Sequence, residues 1–264
     1  MNVLIVSAHP EPRSLNGALR GYAVERLRRA GHEVTVSDLY AMNWKATVDR
    51  ADFLNLEPGS ILKVEAASKR AYEADAQSPD IAAEQRKLQW ADALLLQFPL
   101  WWFSMPAILK GWIDRVYAYG LAYGVGEHSD RRWGDRYGEG KFKGKRAMLI
   151  VTTGGWASHY SARGINGRMD DLLFPINHGM LYYAGFDVLR PVVIYRTGKL
   201  DEARYNESLA ELGGRLDTLW TAQPISYRMQ NGGDYEIPSM ELKEGLSVGR
   251  HGFDIHLAEH PSDR

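Results

Sequence analysis

The stretch Val3-Leu4-Ile5-Val6-Ser7-Ala8-His9-Pro10-Glu11-Pro12-Arg13-Ser14-Leu15-Asn16 decides the fold. Val3 to Ser7 is a short apolar run closed by His9-Pro10 and Pro12. A run that is apolar on both faces suits a strand buried in a parallel sheet. Ser14 then caps a helix in which Leu15, Leu19, Tyr22, Ala23 and Leu27 recur at helical spacing. Gly31 ends that helix, and Val34 to Val36 forms a second strand closed by Ser37-Asp38. Strand, helix and strand in so short a span make a β-α-β crossover, which implies parallel pairing.

Working outward, the same alternation repeats. Ser78-Pro79-Asp80 opens a helix with a capping serine, a proline in the first turn and an acid beside it, and Ile81 and Leu88 share one face. Ala93 to Phe98 is a third strand, stopped by Pro99; Pro106 opens a helix with Ile108, Leu109, Trp112, Ile113 and Val116 on its apolar side. Ala147 to Val151 is a fourth strand. Asp187 to Tyr195 is a fifth, and Pro191 puts it at an edge. Leu209, Leu212, Leu216 and Leu219 mark a closing helix that ends near Trp220. Residues 43–77 are charged and irregular. Residues 118–144, rich in glycine, read as one long loop of the kind that carries function. The expected fold is an α/β, doubly wound sheet of five parallel strands with helices on both faces. It occupies residues 1–221, and 222–264 is an extended tail that packs on this domain or on a partner subunit.

Composition excludes several classes. The 264 residues carry 32 Lys and Arg against 33 Asp and Glu, so no global positive field draws nucleic acid. With no cysteine, disulfides, thiolate metal sites and a cysteine nucleophile are out. The first apolar run is too short for a signal peptide, and no run reaches the length of a membrane span, so the expectation is a cytoplasmic protein. The eight histidines show no ligand spacing with carboxylates, and no metal site is expected. No G-x-S-x-G elbow points to hydrolysis.

A doubly wound sheet binds ligands beyond the carboxyl ends of its strands, where strand order reverses. Three segments sit there. After the first strand come His9, Ser14 and Asn16 at a helix N-terminus, a place that holds phosphate. The segment is neither G-x-G-x-x-G nor a Walker loop, and alone it also reads as an ordinary capped turn. After the third come Pro99-Leu100-Trp101-Trp102-Phe103, aromatics against which a planar ring system gains stacking, or which form core or a subunit interface. After the fourth come Thr152-Thr153-Gly154-Gly155, then Tyr160 and Asn166. The paired glycines let amides approach a ligand, or else simply turn the chain. Together the three favour a ligand site.

Several ordered motifs then carry a resemblance. His9 with Ser14-Leu15-Asn16, Ser37 to Asn43, Ser78-Pro79-Asp80-Ile81, Gln97-Phe98-Pro99-Leu100, Pro106 to Trp112, Thr152 to Gly155 and Gly245 to His251 resemble the NAD(P)H:quinone oxidoreductase family. The resemblance implies a flavodoxin-like fold, a tightly bound FAD, and a homodimer with active sites at its interface. It also implies ping-pong hydride transfer from NADPH or NADH to the flavin and then to a quinone. By the same resemblance His9, Leu15 and Asn16 hold the FAD pyrophosphate region. Lys63 stands where the family has a glutamine near the adenine. Pro99, Leu100, Trp101, Trp102 and Phe103 border the isoalloxazine, Thr152, Thr153, Gly154 and Gly155 meet its polar edge, and Arg204 is a further cofactor contact. Gly154, Gly155 and the Tyr160 hydroxyl would stabilise negative charge on the reduced ring, as an oxyanion hole does. Tyr123, Gly124, Val125, Tyr160 and Asn166 would line the nicotinamide and quinone pocket. Asn166 replaces a family histidine and hydrogen-bonds without titrating. A related form binds a metal through two histidines and a cysteine; here only His178 matches, with Tyr182 in the second place. Residues 124–141 look like an insertion beside the pocket. Some relatives instead gate potassium-efflux transporters, and a flavin-binding regulatory subunit is the alternative. A flavodoxin-type electron carrier fits less well, because this chain lacks both strong acidity and a Ser/Thr-Gly phosphate loop.

Overall fold

The computed structural model describes residues 1–258. Strands β1 (Asn2–Ser7), β2 (Glu33–Asp38), β3 (Ala93–Pro99), β6 (Arg146–Thr152), β7 (Asp187–Val188) and β8 (Val192–Ile194) form one parallel sheet. β4 (His128–Ser129) and β5 (Arg132–Trp133) make a separate hairpin. The helices are α1 (Leu15–Arg29), α2 (Val64–Glu73), α3 (Pro79–Trp90), α4 (Ala107–Val116), α5 (Met169–Ile176) and α6 (Glu202–Asp217). The order β2-β1-β3-β6-β7, with β8 also beside β6, reverses direction between β1 and β3. That reversal opens a crevice at the carboxyl ends of β1 and β3.

The central strands are buried on both faces, and alternate residues feed two cores. Val3 and Ile5 of β1, Leu95 of β3 and Ile150 of β6 meet Leu19, Ala23 and Leu27 of α1 and Leu212 and Leu216 of α6. Leu4, Val6, Leu94, Leu96, Leu149 and Val151 point the other way, onto α3, α4 and α5. Each fully buried side chain of this size contributes about 1.5–3 kcal/mol over an exposed one. α1 starts tightly: a Cβ on Gly17 would lie 1.8 Å from the Pro12 carbonyl oxygen, so only glycine lets the β1–α1 turn pass this close.

Four readings need correction. The fifth strand is not continuous over 187–195. Arg190-Pro191 breaks it, since proline brings no amide to the ladder, and β7 and β8 pair β6 separately. Residues 43–77 are not irregular throughout. α2 lies among them with its own small core of Phe53, Ala67 and Ala71, and the segment is pinned by Arg115, whose guanidinium pairs with Asp52 at 2.8 Å and Asp80 at 2.7 Å. Ser78 is the N-cap residue of α3 as expected, but its side chain makes no capping bond; its hydroxyl goes to the Asp80 carboxylate at 2.6 Å. The closing helix α6 ends at Asp217, before Trp220. A further helix, α5, was hidden because Pro175 sits inside it and a π turn, Asn177–Tyr182, follows at once.

From residue 222 to residue 258 the chain runs over its own domain. The Ile225 amide donates to the Val188 carbonyl at 2.8 Å, and Gln230 Nε2 donates to the Trp133 and Gly134 carbonyls at 3.1 Å. Arg168 pairs with Asp254 at 2.5 Å. Residues 259–264 of the expected tail lie outside the described residues.

Candidate active site

The β1–α1 turn is preorganised around His9. The Glu11 amide and the Glu11 carbonyl oxygen each lie 3.1 Å from His9 Nδ1. The Ser14 hydroxyl shares a hydrogen bond with the same nitrogen at 2.9 Å and accepts the Gly17 amide at 3.3 Å, capping α1. His9 thus stands beside the first amides of α1, which have no partner inside the helix. Asn16 is buried behind this turn. Its Nδ2 donates to Thr152 Oγ1 at 2.9 Å, and Gln97 Nε2 donates to its carbonyl at 2.6 Å. Asn16 Oδ1 and Gln97 Oε1 are both buried with no partner among the described residues, which is costly unless a ligand supplies a donor.

Beyond β3 the chain makes a tight turn. The Trp101 amide donates to the Ser104 carbonyl and the Ser104 amide to the Trp101 carbonyl, each at 3.0 Å. At its corner Trp102 and Phe103 have φ values of 49° and 63°. Positive φ at both central residues belongs to a turn that favours Asn-Gly, and bulky side chains there are strained. These rings do not retreat into the core: Trp102 is 94% exposed, and Trp101 and Phe103 are nearly half exposed. Strain of this kind persists where function requires it.

Beyond β6 the turn is braced. Thr153 donates its amide to Ile194 at 2.9 Å, and its hydroxyl lies 3.0 Å from the Tyr160 hydroxyl. The Gly155 amide reaches Thr153 Oγ1 at 3.4 Å, and the Gly155 carbonyl accepts the Arg196 amide at 3.0 Å. A Cβ on Gly155 would lie 2.7 Å from the Tyr160 ring, whereas one on Gly154 would meet open space. Glycine at 155 thus lets Tyr160 close over the turn. The Arg196 guanidinium stands 3.8 Å from the Trp156 ring centre, a cation–π contact at the rim.

Comparison with known proteins adds to this geometry. A family described as having a flavodoxin-like fold matches residues 1–216. A ribosyldihydronicotinamide dehydrogenase-like protein of Penicillium crustosum is 55% identical over 255 residues, covering 97% of this chain and 92% of that protein. The NAD(P)H dehydrogenase (quinone) 1 of Cavia porcellus is 40% identical, covering 94% of this chain and 92% of its own. A crystal structure of a Klebsiella pneumoniae protein assigned as a quinone reductase superposes with a TM-score of 0.96 at 62% identity, over 98% of this chain and all 100% of that one. The chain belongs to the NAD(P)H:quinone oxidoreductase family.

For a member of this family, the residues at the sheet end suit a flavin. Exposed rings at Trp101, Trp102 and Phe103 match a flat apolar surface, orphaned acceptors at Asn16 and Gln97 match donors, and a helix N-terminus with the His9 imidazole beside it matches phosphate. Pro99 and Leu100 lead into the aromatic turn, the Leu100 amide donating to the Thr152 carbonyl at 2.8 Å. Leu15 begins α1. Asn166 stands near Tyr160 through its amide, which donates to the His159 carbonyl at 3.0 Å.

Other expected residues are not drawn in. Tyr123 sits against Tyr119, ring centres 5.3 Å apart, and lines a small hollow with Ser68 and Val64. Gly124 lies against the Tyr119 ring, and Val125 accepts the Asp135 amide. The hydrogen bonds and ring contacts of these three residues run elsewhere than to Gly155 or Tyr160. Lys63 flanks the start of α2 on the surface. Arg204, in the first turn of α6, is paired with Glu207 at 2.6 Å. Sequence reasoning missed Gln97 as a site residue, and it missed the Trp156–Arg196 pair. Trp156 adjoins Gly154-Gly155 and was legible; Arg196 was not, since only the fold carries it there. Among the described residues no helix is long and apolar enough to cross a membrane.

Proposed function

We propose that the protein is an FAD-dependent NAD(P)H:quinone oxidoreductase that works as a homodimer in two half-reactions at one site. The observation that carries this reading is the strained turn holding Trp102 and Phe103 in water, beside the braced Thr153–Tyr160 segment. A bound flavin would supply the two-electron chemistry that links NADPH or NADH to a quinone.

The chain's own residues do the rest. His9 and the first amides of α1, from Leu15 and Asn16, hold the diphosphate. Trp101, Trp102, Phe103, Leu100 and Pro99 hold the ring flat and keep water from one face. Thr152, Thr153 and the Gly154 and Gly155 amides face its polar edge. Tyr160, its hydroxyl shared with Thr153 Oγ1, orients a donor toward charge that develops there. Asn166 hydrogen-bonds a substrate oxygen without titrating. Lys63 and Arg204 serve the adenylate end. Tyr123, Gly124 and Val125 lie apart from Tyr160 within one chain, so we assign them to a pocket completed across a dimer interface. The exposed Ile165, at 93%, and the half-exposed Trp156 are apolar surface available to such an interface. In this reading residues 1–221 are the catalytic domain, 222–264 is its extension, and the setting is the cytoplasm. Nothing in the described residues favours the ancillary transporter subunit.

The test is direct. Protein purified with its flavin should be yellow, release FAD on denaturation, and bleach when titrated anaerobically with NADPH or NADH. Colour should return on adding a quinone. A protein that stays colourless after incubation with FAD would sink the proposal, and release of FMN would replace the cofactor.

A further inference from the structure

A second cleft, of about 450 Å³, lies away from the sheet end. Its walls are Tyr137 from the glycine-rich loop, Phe174 and His178 from α5 and its π turn, and Arg228, Tyr235 and His256 from the tail. None of its lining residues belongs to the flavin site described above. A volume of this order accommodates a small organic ligand.

Three features specify the ligand. First, the lining is largely aromatic. Phe174, His178 and Tyr137 stack on one another at 4.5 and 4.7 Å between ring centres, with Phe253 behind Phe174 at 4.2 Å and His256 5.6 Å from His178, so they form one continuous aromatic wall. Such a wall favours a flat occupant. Second, the charge is one-sided. The lining holds two arginines and no carboxylate. Arg228 is consumed by Asp234 at 2.6 Å, the Ile255 carbonyl at 3.1 Å and Ser247 at 3.3 Å. Arg136 is not: its Nε donates to Gln230 Oε1 at 2.8 Å, and no acid lies within ion-pair distance among the described residues. Gln230 is itself fixed by two carbonyls, so it holds the guanidinium in place with its terminal nitrogens unspent. Third, His178 Nε2 is buried without a partner. Burial depresses this imidazole to a pKa of about 4, so at neutral pH it is uncharged and lacks one hydrogen bond.

We propose that this cleft binds a planar aromatic carboxylate, its carboxylate on Arg136, its ring laid against the aromatic wall, and a ring substituent hydrogen-bonded to His178 Nε2. A guanidinium fork matches a carboxylate with two parallel hydrogen bonds. Because the ligand bridges tail and domain, it ties residues 228–256 down. The inference stands whether or not quinones are the acceptor at the flavin site.

The test uses the flavin-loaded full chain and 3-hydroxy-2-naphthoate as fluorescent probe, followed by titration calorimetry. The expected result is one saturable site per chain, filled without perturbing the flavin absorbance bands. Arg136→Gln should weaken it about tenfold or more, equivalent to about 1.4 kcal/mol. Arg136→Lys should recover part of that loss, since charge returns without the fork. His178→Phe, which preserves the stack, should weaken binding severalfold, and the uncharged 3-hydroxy-2-naphthamide should bind poorly to wild type. Flavin reduction by NADH should be unchanged in Arg136→Gln, which also shows that the variant is folded. Absence of saturable binding overturns the proposal. So does binding that Arg136→Gln leaves intact, or that shifts the flavin bands and is untouched by both Arg136 variants.

Discussion

The carboxyl end of the sheet and the tail-side cleft both contain buried polar atoms without partners, and they arise in opposite ways. At the sheet end, Asn16 Oδ1 and Gln97 Oε1 are left over by regular elements, a helix start and a strand end. The reversal of strand order would make a crevice there whatever side chains filled it. In the cleft, His178 Nε2 is left over by a π turn, a loop and a tail. No topological rule requires a cavity there; it exists because these side chains meet. A site made by topology should tolerate change at its walls and fail when its backbone approach is blocked. A site made by side chains should fail residue by residue.

The largest expected effect tests the first half of that contrast. Gly155→Val places a branched side chain where a Cβ already lies 2.7 Å from the Tyr160 ring. Tyr160 must swing out, its bond to Thr153 is lost, and the turn no longer receives the flavin edge. We expect most of the flavin to be absent from the purified variant, read as the ratio of flavin to protein absorbance, with the far-ultraviolet circular dichroism unchanged. Full occupancy would show that the ring does not approach this turn. Tyr160→Phe is milder. It keeps the ring and removes the hydroxyl 3.0 Å from Thr153 Oγ1. Flavin should be retained, and the slower of the two half-reactions should fall about tenfold or more in stopped flow, the scale of losing one positioned donor. Unchanged rates in both halves would remove Tyr160 from the chemistry.

What the sequence disclosed follows the same division. β1, β3 and β6 were legible because strands buried on both faces must be apolar throughout, as in Leu94-Leu95-Leu96. Their order then pointed to His9, Trp102 and Gly154 before any coordinate did. α5 was not legible, because Pro175 interrupts its period and a π turn follows at once, while Leu173 and Ile176 pack it regardless. The break at Arg190-Pro191 was half legible: proline announced an edge, though not that the strand would divide. The tail cleft was invisible. Arg136 and Gln230 are 94 residues apart, and nothing local in either says that they meet.

The second half of the contrast has a pH signature. His178 is held neutral by burial, with its pKa lowered to about 4, and His256 is also lowered, again chiefly by burial. An unfolded histidine protonates near pH 6.5, while the folded His178 resists until about pH 4. Between these values the unfolded state binds more protons, so stability is full above about pH 6.5 and falls as pH drops. The expected slope from His178 is about 1 kcal/mol per pH unit, with no further loss from it below pH 4. Denaturant melts of wild type and His178→Phe across this window should differ in slope. Parallel lines would show that His178 is not buried in solution.

The smallest effect turns on the aromatic corner. Trp102 and Phe103 hold positive φ, and Trp102 buries almost nothing in exchange. The double change Trp102→Asn, Phe103→Gly supplies the residues this turn geometry favours. Relieving even one strained position is worth about 1–2 kcal/mol, against the burial lost from the half-covered Phe103. The flavin-free protein should therefore melt about 2–4 °C higher, the shift expected per kcal/mol at this size. The flavin-loaded protein should gain less or lose ground, because under our proposal the ring loses the surface it lies on. The sign of the difference between the two melts decides the matter. Equal gains with and without flavin would mean that the corner is strained for a reason other than the cofactor, and the topological site would then have to be built without its aromatic wall.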